Sequence, residues 1–285
     1  MKVLAATDGS KYGRWAIEWL ARVPFNIQPV VRVLHVVDVA GLRAPFMIQP
    51  VIVGTERYLQ AEIKRMETAA KATKGQATAL LTSLGLTGTV NVDRGGVAAT
   101  IMKHAKRGVG LLSIGSRGLD ALDRFMLGSI SNHAIHHASC SVLVVKEQPR
   151  PVRQIVLAID GSPASNKAVR FLIRQINPVP DGPEREPVMV TVVHVMPYLK
   201  YPELREAGNA VMRRSVDKLA KAGFQVCEAM RLGKPADEIL TVAGEHRADV
   251  IVTGAKGLGA IGRVLLGSVS TRVVQHAASS VLVVR

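Results

Sequence analysis

The chain has 285 residues, 48% of them hydrophobic, which is enough for one large or two ordinary domains with sizeable cores. Its 37 Lys and Arg against 22 Asp and Glu give a net charge of +15, which favours an anionic partner such as a nucleotide or leaves a solvated basic surface. Two cysteines exclude a disulfide framework, and aromatic residues at 4% leave few platforms for stacking nucleic acid bases, so a nucleic acid partner is not expected.

The opening segment, "MKVLAATDGS", runs directly into a strand-like stretch and lacks a signal-peptide core. No apolar run approaches a membrane span, so the expectation is a soluble, cytoplasmic protein. Tyr12, Trp15, Ala16, Trp19, Leu20 and Val23 recur at helical spacing after Asp8-Gly9-Ser10. "VVRVLHVV" is β-branched and nearly continuous, as a buried parallel strand should be. A long helical region follows through "RYLQAEIKRMETAAKATKGQATALLTSLG". Then come a short strand at 89–92, a helix at 97–107, a strand at 111–114, a helix after Gly128-Ser129 and a closing "SVLVV". Such alternation predicts a parallel sheet with helices on both faces.

The whole series then repeats. "KVLAATDGS" matches "QIVLAIDGS", "VRVLHVVD" matches "VTVVHVMP", and "LGSISNHAIHHASCSVLVVK" matches "LGSVSTRVVQHAASSVLVVR", in the same order. The polar, proline-containing "KEQPRPVRQ" separates two α/β domains, 1–147 and 152–285. The main length difference is "APFMIQPVIVGTE", found in the first repeat alone.

Each repeat carries one further pattern. Gly115, Gly118 and Gly128-Ser129 have the same spacing as Gly254, Gly257 and Gly267-Ser268, with nine residues before each Gly-Ser. Glycine after a strand lets a ligand approach the backbone, and a helix N-terminus offers N–H groups and a positive dipole end to phosphate. The alternative is that the glycines make turns and the serines cap helices. Asp8 and Asp160 follow the first strand of each repeat, where a carboxylate can bind ribose or cap the next helix. Arg117 and Lys256 lie inside the loops and either neutralise phosphate or face solvent.

No Walker-type loop is present, and no catalytic base, nucleophile pairing or metal-ligand set is identifiable. His133, His136 and His137 share a segment, yet only His137 has a counterpart, His276. The repeats also differ at Gly110 against Asp249 and at Ser116 against Ala255, while Ser113 stands among apolar neighbours.

These motifs resemble the universal stress protein family over nearly the whole chain, as a tandem pair. The resemblance implies a five-stranded parallel sheet in each repeat, in the order 3-2-1-4-5, and the ATP-binding branch of the family. It places Ala6, Thr7, Asp8, Val36, Gly115, Gly118, Gly128, Ser129 and Ile130 around one nucleotide. The matching set is Ala158, Ile159, Asp160, Val195, Gly254, Gly257, Gly267, Ser268 and Val269. Arg117 and Lys256 join these as phosphate-facing candidates.

The function implied is an ATP-binding stress-response regulator whose nucleotide state alters a protein partner or an assembly. The alternatives are a slow Mg²⁺-dependent ATPase and an interaction module without nucleotide. Family members dimerise through the fifth strand, so here the two "SVLVV" strands are expected to pair within one chain. A further homodimer would use "APFMIQPVIVG" as a candidate contact.

Overall fold

A computed structural model describes residues 1–43, 55–106, 108–118, 127–180, 186–196, 202–257 and 266–285. The first half contains β1 (Lys2–Ala6), α1 (Lys11–Arg22), β2 (Val30–Val37), α2 (Val39–Arg43), α3 (Thr55–Ser83), β3 (Gly88–Arg94), α4 (Val97–Ala105), β4 (Leu111–Gly115), α5 (Ser129–His137) and β5 (Ser141–Val145). The second contains β6 (Gln154–Ile159), α6 (Pro163–Gln175), β7 (Met189–Met196), α7 (Pro202–Lys221), β8 (Gln225–Leu232), α8 (Pro235–Glu245), β9 (Val250–Gly254), α9 (Ser268–His276) and β10 (Ser280–Val284). The proposed homodimer contact, 44–54, lies outside the described residues, as do 119–126 and 258–265 within the two loops.

All the strands join one sheet, in the order β3-β2-β1-β4-β5-β10-β9-β6-β7-β8. Each half therefore has the order 3-2-1-4-5. Pairing is parallel within a half and antiparallel between β5 and β10. Leu143 sits opposite Leu282 at the centre of that junction, with Val142 opposite Val283 and Val144 opposite Val281. The fifth strands cover each other, so neither leaves an apolar edge bare.

Side chains alternate along these strands and feed two apolar layers. Val3, Ala5, Leu143, Val145, Leu282 and Val284 face one layer, with Trp19, Leu20, Leu172 and Leu219 from α1, α6 and α7. Leu4, Val142, Val144, Val281 and Val283 face the other, with Ile101, Ile135, Val242 and Val273 from α4, α5, α8 and α9. Each layer runs through both halves, so the halves share their cores.

The linker is fastened as well. Buried Asp249 accepts the Arg153 and Gln154 N–H groups at 2.8 Å each and pairs with Arg150 Nε at 2.6 Å. Its counterpart Gly110 has only a backbone bond to the Lys2 carbonyl in the corresponding place, among the described residues. Ser113, the polar residue of β4, donates to the Ala16 carbonyl of α1 at 2.6 Å, which accounts for a hydroxyl at a fully buried position.

Candidate functional site

β1 and β4 are neighbours, with Ala6 beside Ile114, and strand order reverses between them. Their carboxyl ends therefore open a crevice at a topological switch point, and β6 with β9 make a second one. Thr7 and Asp8 leave β1 at this edge. Their path is held by the Thr7 N–H bond to the Leu34 carbonyl and by His35 Nδ1, 3.0 Å from the Thr7 carbonyl. A carbonyl can only accept, so Nδ1 carries the proton. His194 Nδ1 makes the same bond to the Ile159 carbonyl, also at 3.0 Å. Val36 and Val195 follow these histidines and are half-buried.

Asp8 is not the helix cap. Ser10 caps α1 by accepting the Gly13 N–H at 3.1 Å, and Ser162 caps α6 by accepting the Ser165 N–H at 3.1 Å. Asp8 Oδ1 instead accepts the Ser10 N–H at 2.9 Å, and Asp160 Oδ1 accepts that of Ser162 at 2.9 Å. The other carboxylate oxygen reaches across to the loop. A methyl on Gly118 would stand 2.7 Å from Asp8 Oδ2, and one on Gly257 would stand 2.6 Å from Asp160 Oδ2. The carboxylate and the second loop glycine thus meet in both halves.

The serines of the Gly-Ser pairs do not cap either. Gly128 and Gly267 occupy the cap positions of α5 and α9 with no side-chain cap bond, and Ser129 and Ser268 are exposed at the first helical position. Both helix starts therefore present N–H groups to the crevice edge without a side-chain acceptor. Ile130 and Val269 follow, half-buried. Each cap glycine is held to its loop: the Gly128 N–H bonds the Ser116 carbonyl at 2.8 Å, and that of Gly267 bonds the Ala255 carbonyl at 2.7 Å.

Gly115 and Gly254 have a structural role that spacing does not reveal. A methyl on Gly115 would come within 2.7 Å of the Tyr12 backbone, and one on Gly254 within 2.6 Å of that of Ala164. The space beside these glycines is filled by the first turns of α1 and α6, so it is this close strand–helix approach that requires them.

The loop cations differ. Arg117 is half-buried, donates from Nη1 to the Tyr12 hydroxyl at 2.7 Å and lies 5.4 Å from that ring. Solvent exposure is therefore not its whole role. In the second half Ala164 replaces Tyr12, and the Lys256 carbonyl accepts from Ser162 Oγ at 3.2 Å.

Four further positions belong to the site. Ser131 and Ser270 donate to the Gly115 and Gly254 carbonyls at 2.6 and 2.7 Å, fixing α5 and α9 to the ends of β4 and β9. The signal was the repeated serine in "GSIS" and "GSVS". Ser116, at 3% exposure, has a buried Oγ with no hydrogen-bond partner among the described residues, and Arg117 Nε is in the same condition. Gly13 is the fourth: a methyl there would lie 2.7 Å from Thr7 Oγ1 and 2.8 Å from Asp8 Oδ1.

The histidines of α5 lie apart from this arrangement. The His133 and His137 rings are 4.3 Å apart, and partial burial, then His137 and His136, lower the His133 pKa.

The molecule is thus a doubly wound α/β protein that carries one crevice design twice. The family model described as "Universal stress protein family" matches residues 1–146 and 151–285, and the chain belongs to that family, with two such domains in tandem. It is 29% identical over 305 aligned positions to a universal stress protein of Mycolicibacterium smegmatis, covering 99% of this chain and 96% of that one. A universal stress protein of Mycobacterium tuberculosis is 28% identical, with 99% and 94% covered. A universal stress protein structure from Archaeoglobus fulgidus shares the fold at a TM-score of 0.71 and 19% identity, covering 100% of this chain and 96% of that one. No helix among the described residues is long and apolar enough to cross a membrane.

Proposed function

We propose that this stress-response protein binds one ATP in each half, and that nucleotide state alters its assembly or its contact with a protein partner in the cytoplasm. The observation that carries the proposal is the repeated meeting of a strand-end carboxylate with a loop glycine, beside a helix start whose cap is glycine. A carboxylate accepts two ribose hydroxyls, and uncapped helix N–H groups with a loop cation receive phosphate. The buried Ser116 hydroxyl and Arg117 Nε, both without a partner among the described residues, are donors that a polyphosphate would satisfy. Val36 and Val195 would border the base. Mg²⁺ would accompany the phosphates.

Calorimetry with ATP on nucleotide-free protein tests this. Two equivalents are expected, and Asp8→Ala and Asp160→Ala should each weaken one site about tenfold or more, the scale of a lost hydrogen bond to a charged group. A folded protein that takes up no ATP overturns the proposal. Phosphate release in the same samples separates a retained ligand from slow turnover.

A further inference from the structure

The helices that open the two crevices end at each other's domains. α9 starts at the second-half crevice and terminates at Ala277. There the Lys146 ammonium donates to the Ala277 carbonyl at 2.6 Å and to the Gln275 carbonyl at 3.4 Å. Lys146 is the residue after β5, and the carbonyl just before it, that of Val145, accepts the Ser116 N–H of the first-half loop at 2.7 Å. The reverse arrangement is also present. α5 starts at the first-half crevice, and its end is held by Arg285, which donates to the Ile135 carbonyl at 2.6 Å and to the Cys140 carbonyl at 3.5 Å. Arg285 follows β10, where the Val284 carbonyl accepts the Ala255 N–H of the second-half loop at 2.9 Å.

A cation at a helix carboxyl end satisfies orphan carbonyls and matches the negative end of the dipole. Here each such cation belongs to the opposite half and is one residue from a carbonyl that anchors the opposite loop. The chain of contacts closes on itself: first loop, Lys146, α9, second crevice, second loop, Arg285, α5, first crevice.

We propose that the two crevices are energetically coupled through these crossed helices, and that anion binding at the first-half loop is linked to proton binding at Lys146. The proposal rests on the crevices binding polyphosphate, as argued above. Burial, and then the Arg117 guanidinium, push the Lys146 pKa down from 10.5 to about 8. A phosphate on Arg117 offsets that repulsion, so Lys146 keeps its proton and its hold on the end of α9. The start of α9, which faces the second crevice, is then ordered before its own ligand arrives. Pre-ordering of this kind gives positive cooperativity, and the linkage is reciprocal.

Among the described residues, the groups around Lys146 are few. Arg117, in the loop after β4, acts on its ammonium electrostatically, the Gln275 and Ala277 carbonyls of α9 accept from it, and the Ser280 hydroxyl of β10 accepts the Lys146 backbone N–H at 3.2 Å. His276, in the last turn of α9, is exposed, and Glu147 in the linker is 3.9 Å from Arg150. The equivalent cation on the other side is an arginine, which stays charged across this pH range. The proton linkage is therefore one-sided.

The test is calorimetric titration of the nucleotide-free full chain with ATP at pH 8.5, in two buffers of different ionisation enthalpy. Near this pH the empty protein has lost much of the Lys146 proton, so wild type should take up about half a proton per chain on saturation. Its second equivalent should bind about fivefold tighter than an independent site would. At pH 7, where Lys146 is already charged, the proton uptake should nearly vanish. Lys146→Met should bind two equivalents independently and without proton uptake. Lys146→Arg, which keeps the cation whether or not the first loop is filled, should lose both the proton uptake and the cooperativity, with its second crevice binding at the affinity of the pre-ordered state. Independent sites in wild type at pH 8.5, or an unchanged proton uptake in both variants, overturn the coupling while leaving ATP binding intact. Absence of any ATP heat overturns the nucleotide reading and the coupling with it.

Discussion

The two halves of this chain share a fold and a crevice design but differ in how each crevice is furnished. The first has Tyr12 holding Arg117, a glycine at position 13 beside Thr7 and Asp8, and the buried Ser116 hydroxyl. The second has Ala164, Ser165 and Ala255 at these places, Ile159 in place of Thr7, and Lys256 in place of Arg117. The first crevice is thus the more polar, with its cation positioned in advance. The second carries its distinctive polar group at the opposite end of the sheet, where Asp249 secures the linker. The lesson is that duplicated backbone geometry fixes where a ligand can sit, while a few side chains set how each copy receives it.

The largest expected effect tests whether the halves can be compared as separate bodies at all. Val144 is fully buried at the β5–β10 junction, facing Val281. Val144→Lys should cost about 3–5 kcal/mol, the scale of an uncompensated buried charge. Urea denaturation should show one transition moved to lower urea for the whole chain. Two separate transitions would mean that the halves fold independently. Asp249→Ala comes next, at about 2–3 kcal/mol, because it strands two backbone N–H groups and Arg150. That loss has no first-half equivalent and should leave a first-half ATP site unchanged by calorimetry.

Gly115→Ala and Gly254→Ala should each cost about 1–3 kcal/mol, since the added methyl drives into helix backbone. Thermal melts giving similar losses in the two halves would show that this part of the design is shared. The smallest effect discriminates the crevices most sharply. Ser116→Ala removes a buried hydroxyl with no partner among the described residues, so the ligand-free protein should be unchanged or up to about 1 kcal/mol more stable. ATP affinity in the first half should fall about threefold, roughly half a hydrogen bond's worth. If stability drops instead, the hydroxyl is a structural group and the furnishing argument weakens.

Much of this was legible in the sequence. Repetition of "AxDGS", where x marks a differing residue, and of the closing "SVLVV" located the ends of β1 and β6 and the strands β5 and β10, and the family resemblance implied that the two apolar "SVLVV" strands pair. The sequence places the third strand at 89–92, where the strand spans Gly88–Arg94, and carries the helix that starts at 97 to 107, where it stops at Ala105. Those ends depend on parallel partners and on the turn at Gly108, whose φ of +68° takes the chain out of the helix. Roles that depend on distant segments were not legible. Nothing local says that Gly115 faces Tyr12 or that Asp249 faces Arg150, because both contacts arise only after strands and helices have been stacked. Lys146 and Arg285 did leave a trace, as basic residues directly after both copies of "SVLVV". Their meaning required the antiparallel junction, which carries the end of each half's last strand to the opposite half's helix.

That junction has one more consequence. In a symmetric pair of separate, identical chains, every residue near the twofold axis must serve on both sides, so a change that suits one site is imposed on the other. Here both partners of β5–β10 are written into a single polypeptide, and the positions across the axis are free to differ: lysine at 146 answers arginine at 285. Covalent tethering also keeps the two partners at a fixed one-to-one ratio however dilute the protein becomes. A lone substitution can therefore change the residues of one crevice without writing the same change into its twin, a freedom that a self-assembling pair lacks.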